Sequence, residues 1–298
     1  MFPLAAITDE FSLDIHAAVD AMADARLTGA ELRMVFQKNI IDLTDDELDR
    51  AREIVEQKGL EIVSIASPLL KCVLPDAPEV DARFQQDVFA ATYSYTDQPR
   101  LTERAFAIAE RTGARVIRVF SYWRTVRPET GFERIARALE QLAKQAAQHG
   151  LTIGLENEHA CNIATGRETG RMLAAVPHPN LKAVWDPANA YVSGEPPYPD
   201  GYHRLPPGRI AHVHAKDCRM DGQRPVWCEL GEGGVRWQEQ IGALQQDRYP
   251  GWISLETHWQ GPHGDKLEAS TICAHKLRAI QAMAAVDAAP AASVPSSK

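Results

Sequence analysis

Short apolar, β-branched runs alternate with amphipathic helical stretches about eight times along this chain, and that alternation limits its fold more than any other feature. The strand-like runs fall at 4–8, 30–35, 60–67, 115–121, 151–158, 181–186, 210–217 and 252–258. Between them apolar residues recur at helical period: Phe132, Ile135, Ala136, Leu139, Leu142, Ala143 and Ala146 share one face, as do Leu48, Ala51, Ile54 and Val55. Thr44-Asp-Asp-Glu47 and Thr165-Gly-Arg-Glu168 have capping-box spacing, in which hydroxyl and carboxylate each satisfy a free backbone N–H. Gly59, Gly113 and Gly150 follow helical runs, where a left-handed C-cap is expected. Strands that alternate with helices pair in parallel. Eight such units in 298 residues favour a closed (β/α)8 TIM barrel, a single α/β domain over residues 1–287. An open sheet would more often carry a glycine fingerprint after its first strand, and here that turn reads Thr8-Asp-Glu-Phe-Ser12.

Two stretches depart from the repeat. Residues 71–99 form an insertion after the third strand, and 193–207 is a Pro/Gly/Tyr-rich loop after the sixth. Both are expected at the barrel's C-terminal mouth, where such loops set specificity. The Ala/Pro/Ser-rich tail, 288–298, is expected to be disordered.

Composition removes several function classes. A net charge of −8 without any Lys/Arg cluster argues against a nucleic-acid partner. The five cysteines are scattered with no CxxC pair, so neither a disulfide framework nor a structural zinc site is expected. No run approaches the roughly 20 apolar residues of a membrane span, and the first residues read as a strand rather than a signal peptide. A cytoplasmic location is expected.

Side chains of a barrel strand alternate between interior and helices. Strand five puts Gly154, Glu156 and Glu158 on one face and Ile153 and Leu155 on the other. Strand seven sets His212, His214 and Lys216 against Val213 and Ala215, and strand eight sets Ser254, Glu256 and His258 against Ile253 and Leu255. The apolar sets suit the outer helices, so the polar sets face inward. Inward carboxylates repel one another unless something compensates them, and a dication does so. Glu156, Asp186, His214 and Glu256, one from each of the last four strands, converge as candidate metal ligands. An oxygen-rich set with one imidazole suits Mn²⁺ first, then Mg²⁺ or Co²⁺, with Zn²⁺ also compatible. His212, one inward position deeper, either bonds a neighbour or orients His214 from behind. Glu31, Arg33 and Arg118 form an interior ion pair or reach substrate. Lys216 stabilises an enediolate oxygen or bridges Asp217 or Glu158. Phe120, Tyr122, Trp123 and Trp259 wall a pocket or simply pack. Gly231-Glu-Gly-Gly234 reads as a phosphate loop or as a tight turn into the next helix.

Leu155-Glu-Asn-Glu158, Trp185-Asp-Pro-Ala-Asn189, His212-Val-His-Ala-Lys-Asp217 and Ser254-Leu-Glu-Thr-His258 together resemble the xylose isomerase-like TIM-barrel superfamily. Within it they are most similar to the sugar phosphate isomerase/epimerase branch, which includes ketose 3-epimerases, inosose dehydratases and 3-dehydroshikimate dehydratases. The resemblance implies the same metal ligands, with Glu156 and Glu256 also serving as acid and base on opposite faces of the substrate. It implies an isomerase or epimerase acting on a sugar or polyol-derived keto compound through a metal-stabilised enediolate. A dehydratase using the same site is the alternative, and a non-catalytic metal- or sugar-binding protein is a second. Asn189, Lys216, Glu158, Arg118, Arg219 and Glu31 are the candidate substrate contacts. The chain departs from the ketose 3-epimerase pattern at Asn189, where a His is usual, and at Met220, where an Arg is usual, with Arg219 adjacent. Ala66-Ser67-Pro68 offers no His of the kind the endonuclease branch uses for a trinuclear zinc site. Homodimers or homotetramers are usual in such families.

Overall fold

In the computed structural model, which describes residues 1–84 and 93–287, each of the eight strand-like runs forms a strand. They are β1 (Leu4–Ile7), β2 (Gly29–Leu32), β3 (Glu61–Ile65), β4 (Val116–Val119), β5 (Thr152–Glu156), β6 (Leu181–Trp185), β7 (Ile210–Ala215) and β8 (Trp252–Leu255). Besides a single helical turn at Thr8–Phe11, the α-helices are α1 (Ile15–Asp24), α2 (Asp45–Gln57), α3 (Gln98–Thr112), α4 (Phe132–Gln148), α5 (Gly166–Ala175), the short α6 (Pro187–Val192), α7 (Trp237–Gln246) and α8 (Lys266–Asp287). The strands pair in parallel round a closed barrel, with β1 bonded to both β2 and β8. The tail 288–298 and part of the 71–99 insertion lie outside the described residues. Among the described residues, no helix is long and apolar enough to cross a membrane.

Local chemistry accounts for the element ends. The Thr44/Glu47 and Thr165/Glu168 capping boxes both form, starting α2 and α5. Gly59, Gly113 and Gly150 take positive φ after their helices. The α4 stripe from Ile135 to Ala146 is buried against the barrel, and burial of each large side chain there stabilises by about 1.5–3 kcal/mol. Ladders stop short of the expected strand ends. Beyond them the backbone turns to side-chain partners: the Asp186 N–H donates to Asn157 Oδ1 at 2.8 Å. Residues that open the mouth therefore sit just past the last ladder pair.

The 193–207 loop starts beside the mouth, where residues 194–200 share a surface pocket with Met220 and Gly222, but none of its residues lines the cavity above the strand ends. Glu195 accepts from the backbone N–H groups of Gly166 and Arg167, capping α5 from a distance. A Cβ at Gly170 would lie 2.1 Å from the Arg204 carbonyl oxygen, so glycine is what lets loop and helix meet. An antiparallel hairpin, Asp217–Asp221/Arg224–Cys228, rises from β7 about the two-residue turn Gly222-Gln223, and Asp221-Gly222 is a local hairpin signal that the alternation-based reading did not take up.

Candidate metal centre and active site

Glu156 ends β5, Asp186 follows β6, His214 lies in β7 and Glu256 follows β8. One ligand atom from each lies within 4.8 Å of all the others, and all four residues are buried. Asp186 is fixed from several sides. It caps α6, with Oδ1 accepting the Asn189 N–H at 2.8 Å, and the Asn157 amide clamps its backbone N–H and carbonyl. Sequence reasoning quoted Asn157 within a motif but gave it no task.

His214 divides its two nitrogens. Nε2 lies 3.1 Å from Glu31 Oε2, while Nδ1 is 3.1 Å from Glu156 Oε1 and 3.5 Å from Glu256 Oε2. Glu31 is completely buried and also accepts from His212 Nε2 at 3.0 Å, Ser64 Oγ at 3.0 Å and Ser254 Oγ at 2.9 Å. Burial alone would raise its carboxyl, but the two imidazoles and their hydrogen bonds hold it well below the usual carboxylate range. With the proton placed on Nε2 toward Glu31, Nδ1 presents its lone pair to the three ligand carboxylates. Glu31 thus lies behind His214 rather than in a cavity wall, and its partners are histidines and serines rather than Arg33 or Arg118.

The residues fit a divalent ion. Glu156 Oε2 and Asp186 Oδ2 are buried and accept no hydrogen bond of proper geometry. Their nearest cations are Arg118 Nη1 at 3.4 Å and Lys216 Nζ at 2.7 Å. Three carboxylates and one imidazole form a hard, oxygen-rich donor set. Two other clusters overlap it, Glu31–His212–His214 and Glu10–Glu256–His258. Their carboxylates are already committed, Glu31 to its four donors and Glu10 to Arg33 and Lys266.

Lys216, itself buried, lies 2.7 Å from both Asp186 Oδ2 and Glu256 Oε2. Burial pulls its ammonium down, but Asp186 and Glu256 outweigh that and raise it well above the ordinary lysine range. Arg33 Nη1 reaches Glu256 Oε1 at 2.9 Å, and its other nitrogens hold Asp9 and Glu10. Burial would raise Glu256, yet Lys216, His258, His214 and Arg33 keep it well below the usual range. Asp186 is raised, by burial first and by Glu256 and Glu156 next, against the pull of Lys216.

Above this set lies a cavity of about 460 Å³, lined among others by Arg33, Lys71, Arg118, Glu158, Trp227 and His258. Glu158 pairs with His159 Nδ1 at 2.9 Å, and the same nitrogen lies 2.9 Å from Asn189 Oδ1. Phe120 and Trp123 line the cavity, whereas Tyr122 and Trp259 pack outside it. Arg219 does not line it. Along the hairpin Arg219 pairs with Val226, on the face opposite Pro225 and Trp227, and its guanidinium is exposed beside Glu232. Lys71, Trp227 and His258 were missed as site residues; the Asp221-Gly222 turn could have announced the hairpin that carries Trp227, whereas no local pattern marks the turn after β3 that carries Lys71.

The glycine-rich stretch 231–234 holds no place for phosphate. The Asp217 carboxylate accepts the N–H groups of Cys218, Gly231, Gly233 and Val235, so the anion in this nest is the protein's own. This is the tight-turn alternative.

Known proteins of similar sequence and shape agree with this architecture. An inosose dehydratase of Lacticaseibacillus casei is 24% identical over 140 residues, covering 42% of this chain and 46% of that protein. An inosose dehydratase of Erwinia tasmaniensis is 29% identical over 132 residues, covering 39% and 44%. The matched stretch thus spans about half the length of these relatives. Among solved structures, a probable 3-DHS dehydratase from Bacillus anthracis superposes with a TM-score of 0.69 at 20% identity, covering 92% of this chain and 98% of that one. An L-ribulose 3-epimerase gives 0.68 at 14% identity, covering 97% of each chain. At such identities the likeness concerns the fold alone. The sequence profile described as Xylose isomerase-like TIM barrel matches residues 19–282, and with nearly the whole barrel inside that match, the chain belongs to this family.

Proposed function

We propose that this protein is a divalent-metal-dependent isomerase or epimerase of a sugar or polyol-derived ketone. The observation that carries the reading is the convergence of Glu156, Asp186, His214 and Glu256 beneath a cavity of about 460 Å³. Those four residues would hold the ion, Mn²⁺ first among the candidates. A bound dication would supply Lewis acidity, making the C–H beside a substrate carbonyl easier to ionise.

The chain's own residues then move protons. Glu256 takes the proton from carbon, and the C–H pair becomes the new C=C bond as the carbonyl π pair moves onto its oxygen. Glu156, entering the step with a proton, delivers it on the opposite face or at the neighbouring carbon as the carbonyl reforms. Arg33 and Lys216 hold Glu256 in place, while Arg118 stands beside Glu156. Phe120 and Trp227 give the cavity apolar walls.

The decisive experiment incubates the Mn²⁺-loaded protein with a panel of ketoses and keto-polyols in D₂O. Solvent deuterium in a product of unchanged skeleton is expected, and E156Q and E256Q should each slow exchange by about 10²–10⁴-fold. No exchange with any member, or exchange untouched by both substitutions, counts against the proposal.

One observation favours a dehydratase as the second reading. Lys216 places an ammonium beside Glu256, where it can protonate a leaving β-hydroxyl after the carboxylate has taken the α-proton. That outcome would show as loss of water and a conjugated enone absorbance in the same incubation.

A further inference from the structure

We infer that Asn157, which lies outside both the ligand set and the cavity lining, is the residue that positions Asp186 for metal binding, its side chain standing in for a missing rung of the sheet. The inference rests on the metal-dependent reading above and concerns how that site is held in shape.

The ladder between β5 and β6 runs only to the pair Glu156–Val184, and the ladder between β6 and β7 ends at Trp185–Val213. Asp186 therefore stands beyond the last rung on both sides. Past its ladder a chain keeps two soft dihedrals per residue, and a small rotation at Asp186 would swing its carboxylate out of the ligand set. Asp186 is also fully buried, so its own N–H and C=O need partners.

Asn157, the residue after the ligand Glu156, answers both groups. Its Oδ1 accepts the Asp186 N–H at 2.8 Å, and its Nδ2 donates to the Asp186 carbonyl at 2.7 Å. A carboxamide carries the donor and acceptor of a peptide group, and only one orientation of it satisfies this pair. The carbonyl takes the Ala190 N–H of α6 as well, at 3.3 Å, so strand and helix are fastened at one point. Asn157 is itself fully buried.

The other three ligands are held by main chain. Glu156 and His214 lie within their strands, and the Glu256 N–H continues the sheet by donating to the Ala215 carbonyl at 3.0 Å. Asp186 depends on a side chain for the same service. Its Oδ1 is spent on the α6 cap, which leaves Oδ2 for an ion, and the backbone pose set by Asn157 decides where Oδ2 points.

The test is a calorimetric titration of the full chain with Mn²⁺, comparing wild type with N157A and N157S. N157A strands the two Asp186 backbone groups, and Mn²⁺ affinity is expected to fall about 10- to 100-fold. In N157S the hydroxyl and a water in the vacated space meet part of that demand, so a smaller loss of about threefold or more is expected. That milder variant keeps the test open if N157A melts too low to titrate. A side chain that served only the fold would lower the melting temperature equally with and without Mn²⁺. A positioning residue also shrinks the rise in melting temperature that Mn²⁺ brings, because that rise follows affinity. Wild-type affinity in the variants, or an undiminished rise, would overturn the inference. Absence of Mn²⁺ binding by wild type would overturn the metal site and the inference with it, so the two failures are told apart.

Discussion

With Nε2 of His214 placed 3.1 Å from a carboxylate that already accepts three other hydrogen bonds, the ring has little freedom to rotate or to change tautomer. Glu31 therefore prepares a ligand that it does not join. In E31Q the amide keeps the shape but loses the charge, and it sets its own N–H against histidine and serine donors. Mn²⁺ affinity should fall about 10- to 100-fold, measured by calorimetric titration beside a thermal melt that reports folding separately. Unchanged affinity would remove Glu31 from the role. At this scale the sequence reveals which face a strand residue occupies but not how deep it lies. Alternation placed Glu31 inside with the ligands, yet its layer emerges only when Ser64, His212 and Ser254 surround it. Arg219 failed for another reason, since its distance from His214 along the chain says nothing about the hairpin that turns it outward.

Elements explain how the mouth is built around those residues. The hairpin after β7 brings Trp227 and Pro225 to the cavity, and Asp217 at its base binds the following loop through the N–H groups of Gly231, Gly233 and Val235. Gly233 belongs to that arrangement because a Cβ there would lie 2.0 Å from Asp217 Oδ1. G233A should lower stability by about 1–3 kcal/mol, seen as a reduced melting temperature. A melting temperature equal to wild type would show that the loop yields freely. Helices, caps and barrel strands were legible because each rests on a local pattern: a stripe, a capping box, a glycine. The 193–207 loop was not, because its course depends on close contacts with α5 at Gly166 and Gly170 that no local pattern records.

Across the whole molecule, barrel closure brings four strand ends together and buries three carboxylates at one point, with Lys216, Arg33 and Arg118 as neighbouring counter-charges. Buried carboxylates are tolerated only when paired, and this set fits both those cations and a dication. The eightfold alternation made the closure legible, and the closure made the ligand set legible. The central claim is that Glu156, Asp186, His214 and Glu256 form one metal site, and paramagnetic resonance of free Mn²⁺ during titration tests it most directly. Asp186→Asn is the informative variant because asparagine still caps α6 while removing an anionic ligand. Wild type should take up a single Mn²⁺ per chain, and the variant should bind it at least about 100-fold more weakly while melting near wild type. Absence of uptake by wild type, or equal uptake by D186N, would contradict the claim.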